Sequence, residues 1–241
     1  MTDLDKQHAD NAERRYAYDF DYAMHRFMLR EWGITGEGCA LEMGCYKGAF
    51  TKMLLNLFAE VTVVEGSGEL IYEASRNAPR AHYRKRRFEE YTPEGWPHAF
   101  DSIFLIHALE HVDEPDVVLR RAATWLDYGG RLYVAVPNAF AASRQIAVEM
   151  GKLPHPWSIM DGEAQQGHRR TYDLTYLKRT VTDAGLKIVD SGGIFFKAMS
   201  NHQMDLAHGY GVIDDAYLEG AFQFGKRYPE LCASIYCVAE A

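Results

Sequence analysis

Two groups of residues in this chain have types and spacings that suit chemistry. The first is Leu41-Glu42-Met43-Gly44-Cys45-Tyr46-Lys47-Gly48, followed by Glu65-Gly66. Glycines at a strand-to-helix turn let the backbone take dihedrals closed to other residues and come close to a ligand. An acid such as Glu65, at the end of the β-branched run Val61 to Val64, suits hydrogen bonds to both hydroxyls of a ribose. Glu42 narrows the ligand further. A pyrophosphate wants backbone N–H groups and a helix N-terminus, not a carboxylate beside the turn. A carboxylate there suits an ammonium group, and a sulfonium cofactor that carries an amino acid has one. The second group is rich in histidine. His107, Glu110 and His111 are spaced i, i+3, i+4, so a helix would place them on one face, either to hold a metal or to pack and hydrogen-bond. His168 precedes Arg169 and Arg170. An imidazole can take the proton of an acceptor hydroxyl, and a guanidinium can grip a carboxylate or phosphate. Neighbours on an extended chain point opposite ways, so at most one arginine is expected to do so.

These residues need elements to hold them. Tyr16, Phe20, Ala23, Met24, Phe27 and Met28 recur at helical spacing and predict an amphipathic helix ending near Gly33, with a break at Gly36-Glu37-Gly38. Cys39 to Met43 is a short apolar strand, and Phe50, Met53, Leu54, Leu57 and Phe58 follow at helical spacing. Val61 to Val64 is a strand, Glu69 to Asn77 a helix, and Ala81 to Arg84 a weaker strand. Phe100 to Ile106 is a strand, Pro115 to Leu126 a helix, and Arg131 to Val136 a strand that Pro137 stops. Asp101 is expected to cap a turn. Such alternation indicates βαβ units and a three-layer α/β fold. Thr171 to Ala184 then reads as a helix, Leu186 to Phe196 as a strand containing Gly192 and Gly193, and Cys232 to Ala239 as the last strand. The connections Asn138 to Arg170 and Lys197 to Leu231 are long for loops, so short helices and substrate recognition are expected there.

Composition bounds the rest. The 241 residues are 47% apolar and 25% charged, with a formal charge of −8, which suits a globular domain and makes nucleic acid a poor partner. Cys39, Cys45, Cys232 and Cys237 have no metal-knuckle or redox spacing. Met1 to Asp10 is polar and unlike a secretory leader, and no apolar run reaches the ~18 residues of a membrane span. A cytoplasmic chain with no membrane and no nucleic-acid partner is expected.

At this point the sequence resembles the class I S-adenosylmethionine-dependent methyltransferases, from about Gly38 to the C-terminus. Glu42, Gly44 and Gly48 match the family's acidic-x-Gly-x-x-x-Gly turn, and Glu65 its ribose-binding acid. Arg87-Phe88-Glu89-Glu90 is similar to the adenine-side segment. Phe100 to Ile103 and His107 to Val112 resemble the fourth motif, and Asp127 to Leu132 the turn into the fifth strand. There are two departures. Tyr46 stands at the middle glycine of the loop, and Arg87 stands where an Asp often reads the adenine amine, a role left to Glu89 or to backbone near Phe88.

The resemblance implies a Rossmann-like methyltransferase fold, a mostly parallel seven-stranded sheet with an antiparallel last strand, an N-terminal helix and helical inserts. It implies a single domain, 1–241, with a cap helix (1–36), a cofactor half (37–137) and substrate or dimer inserts (138–170 and 197–231). S-adenosyl-L-methionine is the implied cofactor, with S-adenosyl-L-homocysteine as product, in contact with Glu42, Gly44, Tyr46, Gly48, Glu65, Gly66, Phe88, Glu89 and Leu105. His107, His111 and His168 are the implied catalytic candidates, and Tyr16 and Arg169 the substrate contacts. No metal is expected; the alternative places one at His107, Glu110 and His111, because ubiquinone-pathway and small-RNA relatives have sites in this region. The acceptor is expected to be a small polar or aromatic metabolite methylated on O or N. Met199, Met204, Tyr210, Tyr217, Phe222 and Phe224 either wall its pocket or form a homodimer surface. A nicotinamide-dependent oxidoreductase, disfavoured by Glu42 and by the lack of Gly-x-Gly-x-x-Gly, and a non-catalytic cofactor-binding protein are the alternatives.

Overall fold

The computed structural model describes residues 19–36, 38–93 and 99–241; Tyr16 lies outside them. Helix α1 (Asp19–Glu31) precedes β1 (Cys39–Met43), α2 (Ala49–Leu54), β2 (Glu60–Glu65), α3 (Gly68–Asn77) and β3 (His82–Lys85). There follow β4 (Phe100–Ile106), α4 (Pro115–Trp125), β5 (Leu126–Pro137), α5 (Ala142–Glu149), α6 (Asp161–Gln165) and α7 (Leu174–Asp183). The chain ends with β6 (Lys187–Phe196), α8 (Asn201–Gly209), α9 (Asp215–Gly225), a 3-10 turn (Pro229–Leu231) and β7 (Cys232–Glu240).

The seven strands form one sheet in the order β3-β2-β1-β4-β5-β7-β6. Pairings among β1 to β5 are parallel, whereas β7 is antiparallel to both β5 and β6. Strand side chains alternate between faces. Phe104, Tyr133 and Ala135 therefore join Met28, Trp32, Phe50 and Phe222 in one core, while Ile103, Leu105, Leu132 and Val134 join Val118, Trp125 and Leu177 in the other. Helices α1, α2, α3 and α9 cover the first face, and α4 and α7 the second. This is the expected three-layer arrangement.

Three boundaries move for local reasons. Strand β5 begins at Leu126, not Arg131, because Leu126 already pairs with Phe100 ahead of an irregularity at Phe100/Ser102. Helix α2 stops at Leu54; bonds from Asn56 N–H to Met53 O (3.1 Å) and Leu57 N–H to Leu54 O (2.9 Å) carry the apolar period onward as tight turns. Helix α7 begins at Leu174, capped by Asp173, whose carboxylate accepts the Tyr176 N–H at 2.6 Å. Asp101 does anchor a chain turn: it accepts the Cys39 N–H at 2.7 Å and fixes the start of β1.

The long connections hold α5 and α6, and α8 and α9. The second insert divides its apolar residues: Met204 and Phe222 are core, whereas Tyr210 is 82% exposed. Because β7 is antiparallel, its first residues lie at the edge where β1, β4, β5 and β6 end. That carboxyl edge is where ligands bind in open α/β sheets.

Candidate functional site

Three non-glycine residues among those described have positive φ: Tyr46 (45°), His107 (50°) and Phe195 (65°). The first two sit at the carboxyl edge, after β1 and β4. Strain of about 1–3 kcal/mol per such residue persists where the surroundings over-determine it, and it clusters at functional sites. At Tyr46 this explains why a glycine commonly occupies the position. Gly44 (φ 87°) and Gly48 (φ 81°) flank it. A Cβ on Gly48 would sit 3.0 Å from the Ala74 backbone, so its absence lets α3 pack against the loop. A Cβ on Gly44 would sit 3.4 Å from the Phe88 ring and 3.3 Å from Ala108 Cβ. Phe88 thus stands against the glycine turn.

Glu65 ends β2 with its carboxylate fixed from two sides. Oε1 accepts the Ser67 N–H at 2.9 Å, and Oε2 accepts the Cys45 N–H at 3.3 Å. Ser67 in turn caps α3 by accepting the Leu70 N–H at 3.3 Å. The cap, the acid and the glycine loop are thereby one hydrogen-bonded unit, and an acid held this way presents its lone pairs without reorganising. Glu42 is different. It is 2% exposed, and its Oε2 accepts the Thr51 hydroxyl at 2.5 Å. Burial pushes its carboxyl up to about 8; Thr51 opposes this and Glu65 adds to it. At neutral pH Glu42 is mostly protonated, and an ammonium group beside it would restore its charge.

His107 follows β4, with its N–H bonded to Ala135 O at 2.8 Å and its Nε2 2.8 Å from Ser234 Oγ of β7. Burial, reinforced by His25, His168 and His111, lowers its pKa to about 3. His111 and His168 lie edge to face with ring centroids 4.7 Å apart. Burial lowers them to about 3 and about 4. Glu110 completes this cluster. It is 1% exposed, neither carboxylate oxygen has a hydrogen-bond partner, and burial, aided by Glu163, pushes its carboxyl up to about 8. Ligand atoms of Glu110, His111 and His168 lie within 4.8 Å of one another. A cavity of about 10 Å³ adjoins them, lined by Glu110, Glu163, His168, Arg144 and Arg170, room for about one water or ion.

A family model for a methyltransferase domain matches residues 13–191. The chain belongs to this methyltransferase family. A ubiquinone biosynthesis O-methyltransferase of Xanthomonas euvesicatoria pv. vesicatoria is 30% identical over 112 residues, covering 45% of this chain and 46% of that protein. Its counterpart in Xanthomonas campestris pv. campestris has the same identity and coverage. The chain thus spans about half the length of the curated relatives it matches. Among solved structures, a putative methyltransferase complexed with the Trm112 activator of Haloferax volcanii aligns with a TM-score of 0.66 at 15% identity, covering 100% of this chain and 98% of that one. The N-methyltransferase NodS of Bradyrhizobium japonicum with S-adenosyl-L-homocysteine aligns with a TM-score of 0.58 at 16% identity, covering 98% and 95%. These two establish the methyltransferase Rossmann-like fold.

In this family member Glu42, Gly44, Tyr46, Gly48, Glu65, Gly66 and Phe88, the residues expected against the cofactor, lie together at one edge. Glu89 stands beside Arg87, 3.8 Å away, while Arg87 also reaches Asp113 at 3.1 Å. Leu105 lies one residue before the end of β4, and its side chain is fully buried in the core shared with α4; Ile106 ends the strand and His107 follows it at the edge. The Arg169 guanidinium pairs with Asp113 at 2.6 Å and donates to His111 O at 3.0 Å, which clamps the insert to the β4–α4 loop. Arg170 does the same through Leu109 O (3.3 Å) and Asp113 O (3.0 Å). The metal-ligand grouping also changes. His107, held by Ser234, is replaced beside Glu110 and His111 by His168, far away in sequence but adjacent in space. Thr51 and Ser234 are partners that the sequence does not announce, since neither lies in a motif or on a periodic face.

Proposed function

We propose that this methyltransferase moves a methyl group from S-adenosylmethionine to a hydroxyl or amino group of a small-molecule acceptor. One observation carries this reading: Glu65, held by two backbone N–H groups beside a glycine turn, is a ready-made ribose acceptor. Gly44 and Phe88 fit an adenosine laid against the loop, and Glu42 fits the amino-acid ammonium. When bound, the cofactor supplies a sulfonium methyl. The chain's residues bind and orient; most of the barrier reduction in such a displacement comes from positioning. His107 presents a neutral imidazole whose orientation Ser234 sets, suited to hydrogen-bond an acceptor hydroxyl. The curated relatives' O-methyltransferase names support oxygen as the methylated atom.

Glu110, His111 and His168 favour a second, compatible element. A buried carboxyl with no hydrogen bond to either oxygen, 3.9 Å from His111 Nε2, and two imidazoles kept neutral by burial are a fitting donor set for a divalent cation. These three would hold it, and a cation there would supply Lewis acidity toward an acceptor oxygen.

Calorimetry with S-adenosylhomocysteine and, separately, NAD tests the core reading, followed by transfer of labelled methyl to a metabolite panel with and without chelator. Binding of NAD without S-adenosylhomocysteine refutes it.

A further inference from the structure

Lys197 has no part in the chemistry above, yet it is only 9% exposed. Strands β5 and β6 are both antiparallel to β7 and so parallel to each other. Lys197, the residue after β6, therefore stands on the carboxyl edge. Across the sheet that edge reads Glu65 at the end of β2, Gly44 after β1, His107 after β4, Asn138 after β5, Ser234 on β7 and Lys197 after β6. The ribose acid and Lys197 are at opposite ends, with His107 between them. From His107 after β4 to Lys197 after β6 is three strand spacings, or about 14 Å from backbone to backbone.

Helix α1 spans the same stretch. Asp21 and His25 are one turn apart and lie side by side. The Asp21 charge acts on Lys197, and Asp21 Oδ1 accepts the Asn201 amide N–H at 2.6 Å. His25 stands edge-on to Phe50 at 5.1 Å, and it lies near enough to His107 that a proton on one opposes a proton on the other. One helix face thus links the His107 end to the Lys197 end. The Lys197 ammonium donates to Met199 O at 3.2 Å. Burial lowers its pKa to about 8 against the opposing pull of Asp21. A desolvated ammonium gains far more from an added anion than a surface lysine does.

We propose that Lys197 is a specificity residue for an acceptor bearing a carboxylate, which its Nζ holds while the methylated group lies at His107. This rests on the methyl-transfer reading. A monoanion is the fitting charge, because Asp21 already faces the same ammonium and would repel a phosphate dianion. A lysine presents a point charge to one oxygen, unlike the bidentate fork of arginine.

The test is calorimetry at pH 7 on protein saturated with S-adenosylhomocysteine, using benzoate against benzamide and hexanoate against hexanamide. Wild type is expected to bind each acid at least about tenfold tighter than its amide. Lys197→Met should bring the pair within about twofold, and Lys197→Arg should keep part of the preference. S-adenosylhomocysteine affinity and melting temperature report folding in each variant. Asp21→Asn removes the competing carboxylate and should tighten acid binding; if Lys197 were only a strut to α1, this variant would loosen the site as Lys197→Met does. Equal binding of acid and amide, no binding of any acid, or a preference that survives Lys197→Met overturns the proposal. Wild type that fails to bind S-adenosylhomocysteine refutes the methyl-transfer reading itself.

Discussion

Replacing Glu42 by Gln keeps its shape and its place beside Thr51 but removes its ability to ionise. In the ligand-free protein the Glu42 carboxyl is pushed up to about 8, so about nine-tenths of it is protonated at pH 7. If the ammonium of the amino-acid portion seats beside it, the bound-state value falls back toward the ordinary range. Binding at pH 7 should then release close to one proton, and wild-type affinity should climb by up to about tenfold per pH unit from near pH 5 to pH 8, levelling above. The sign follows from the raised value: protons compete with the ligand below pH 8 and cease to compete above it. Isothermal titration with S-adenosylhomocysteine in phosphate and in Tris, which differ in ionisation heat, counts the protons directly. Glu42→Gln should release none, show a flat profile and bind at least about tenfold more weakly at pH 8. Its deficit should close toward pH 5.5, where wild type is also neutral before binding. Proton-neutral binding by wild type, or equal affinities at pH 8, would refute the assignment of Glu42 to the ammonium and leave it a strut for Thr51.

Further outcomes follow from the same geometry. Tyr46→Gly should raise the unfolding free energy by about 1 kcal/mol, since the relief of a positive φ exceeds the entropy glycine adds to the unfolded chain; urea titration measures it. Gly48→Ala should cost at least about 2 kcal/mol, because it adds both an unfavourable φ and a contact with Ala74. Glu110→Gln should abolish the visible absorption of cobalt(II)-loaded protein if Glu110, His111 and His168 form a cation site; an unchanged spectrum removes Glu110 from the ligand set. Arg169→Gln, at an exposed pair, should cost less than about 1 kcal/mol and leave the acceptor KM untouched, whereas a KM raised about tenfold with S-adenosylhomocysteine affinity unchanged would place Arg169 on the acceptor.

Much of the fold was legible along the chain because its signals are local. Largely apolar runs such as Cys39–Met43 and Phe100–Ile106 coincide with β1 and β4, since strands buried on both faces are near-continuously apolar, with Glu42 the buried exception in β1. Turn chemistry was equally readable: Gly44 and Gly48 are needed where φ is positive. The burial of Leu105 is not legible, because which residue of a strand reaches its edge depends on where the pairing stops. The Arg169–Asp113 pair is not legible either, because Asp113 belongs to a different element.

By itself, then, the sequence determined a βαβ succession, a glycine turn flanked by acids, and a supply of histidines. Only the tertiary structure decided which of those histidines meet. The turn after β4 gives His107 to Ser234, at the far end of the chain, and the insert after β5 brings His168 to Glu110 and His111. It also decided that Lys197, silent in any motif, follows the outermost strand β6 at the carboxyl edge and is itself only 9% exposed. Local sequence sets backbone conformation within a few residues. Burial, and with it the charge state of Glu42, Glu110 and Lys197, depends on what distant segments pack over them.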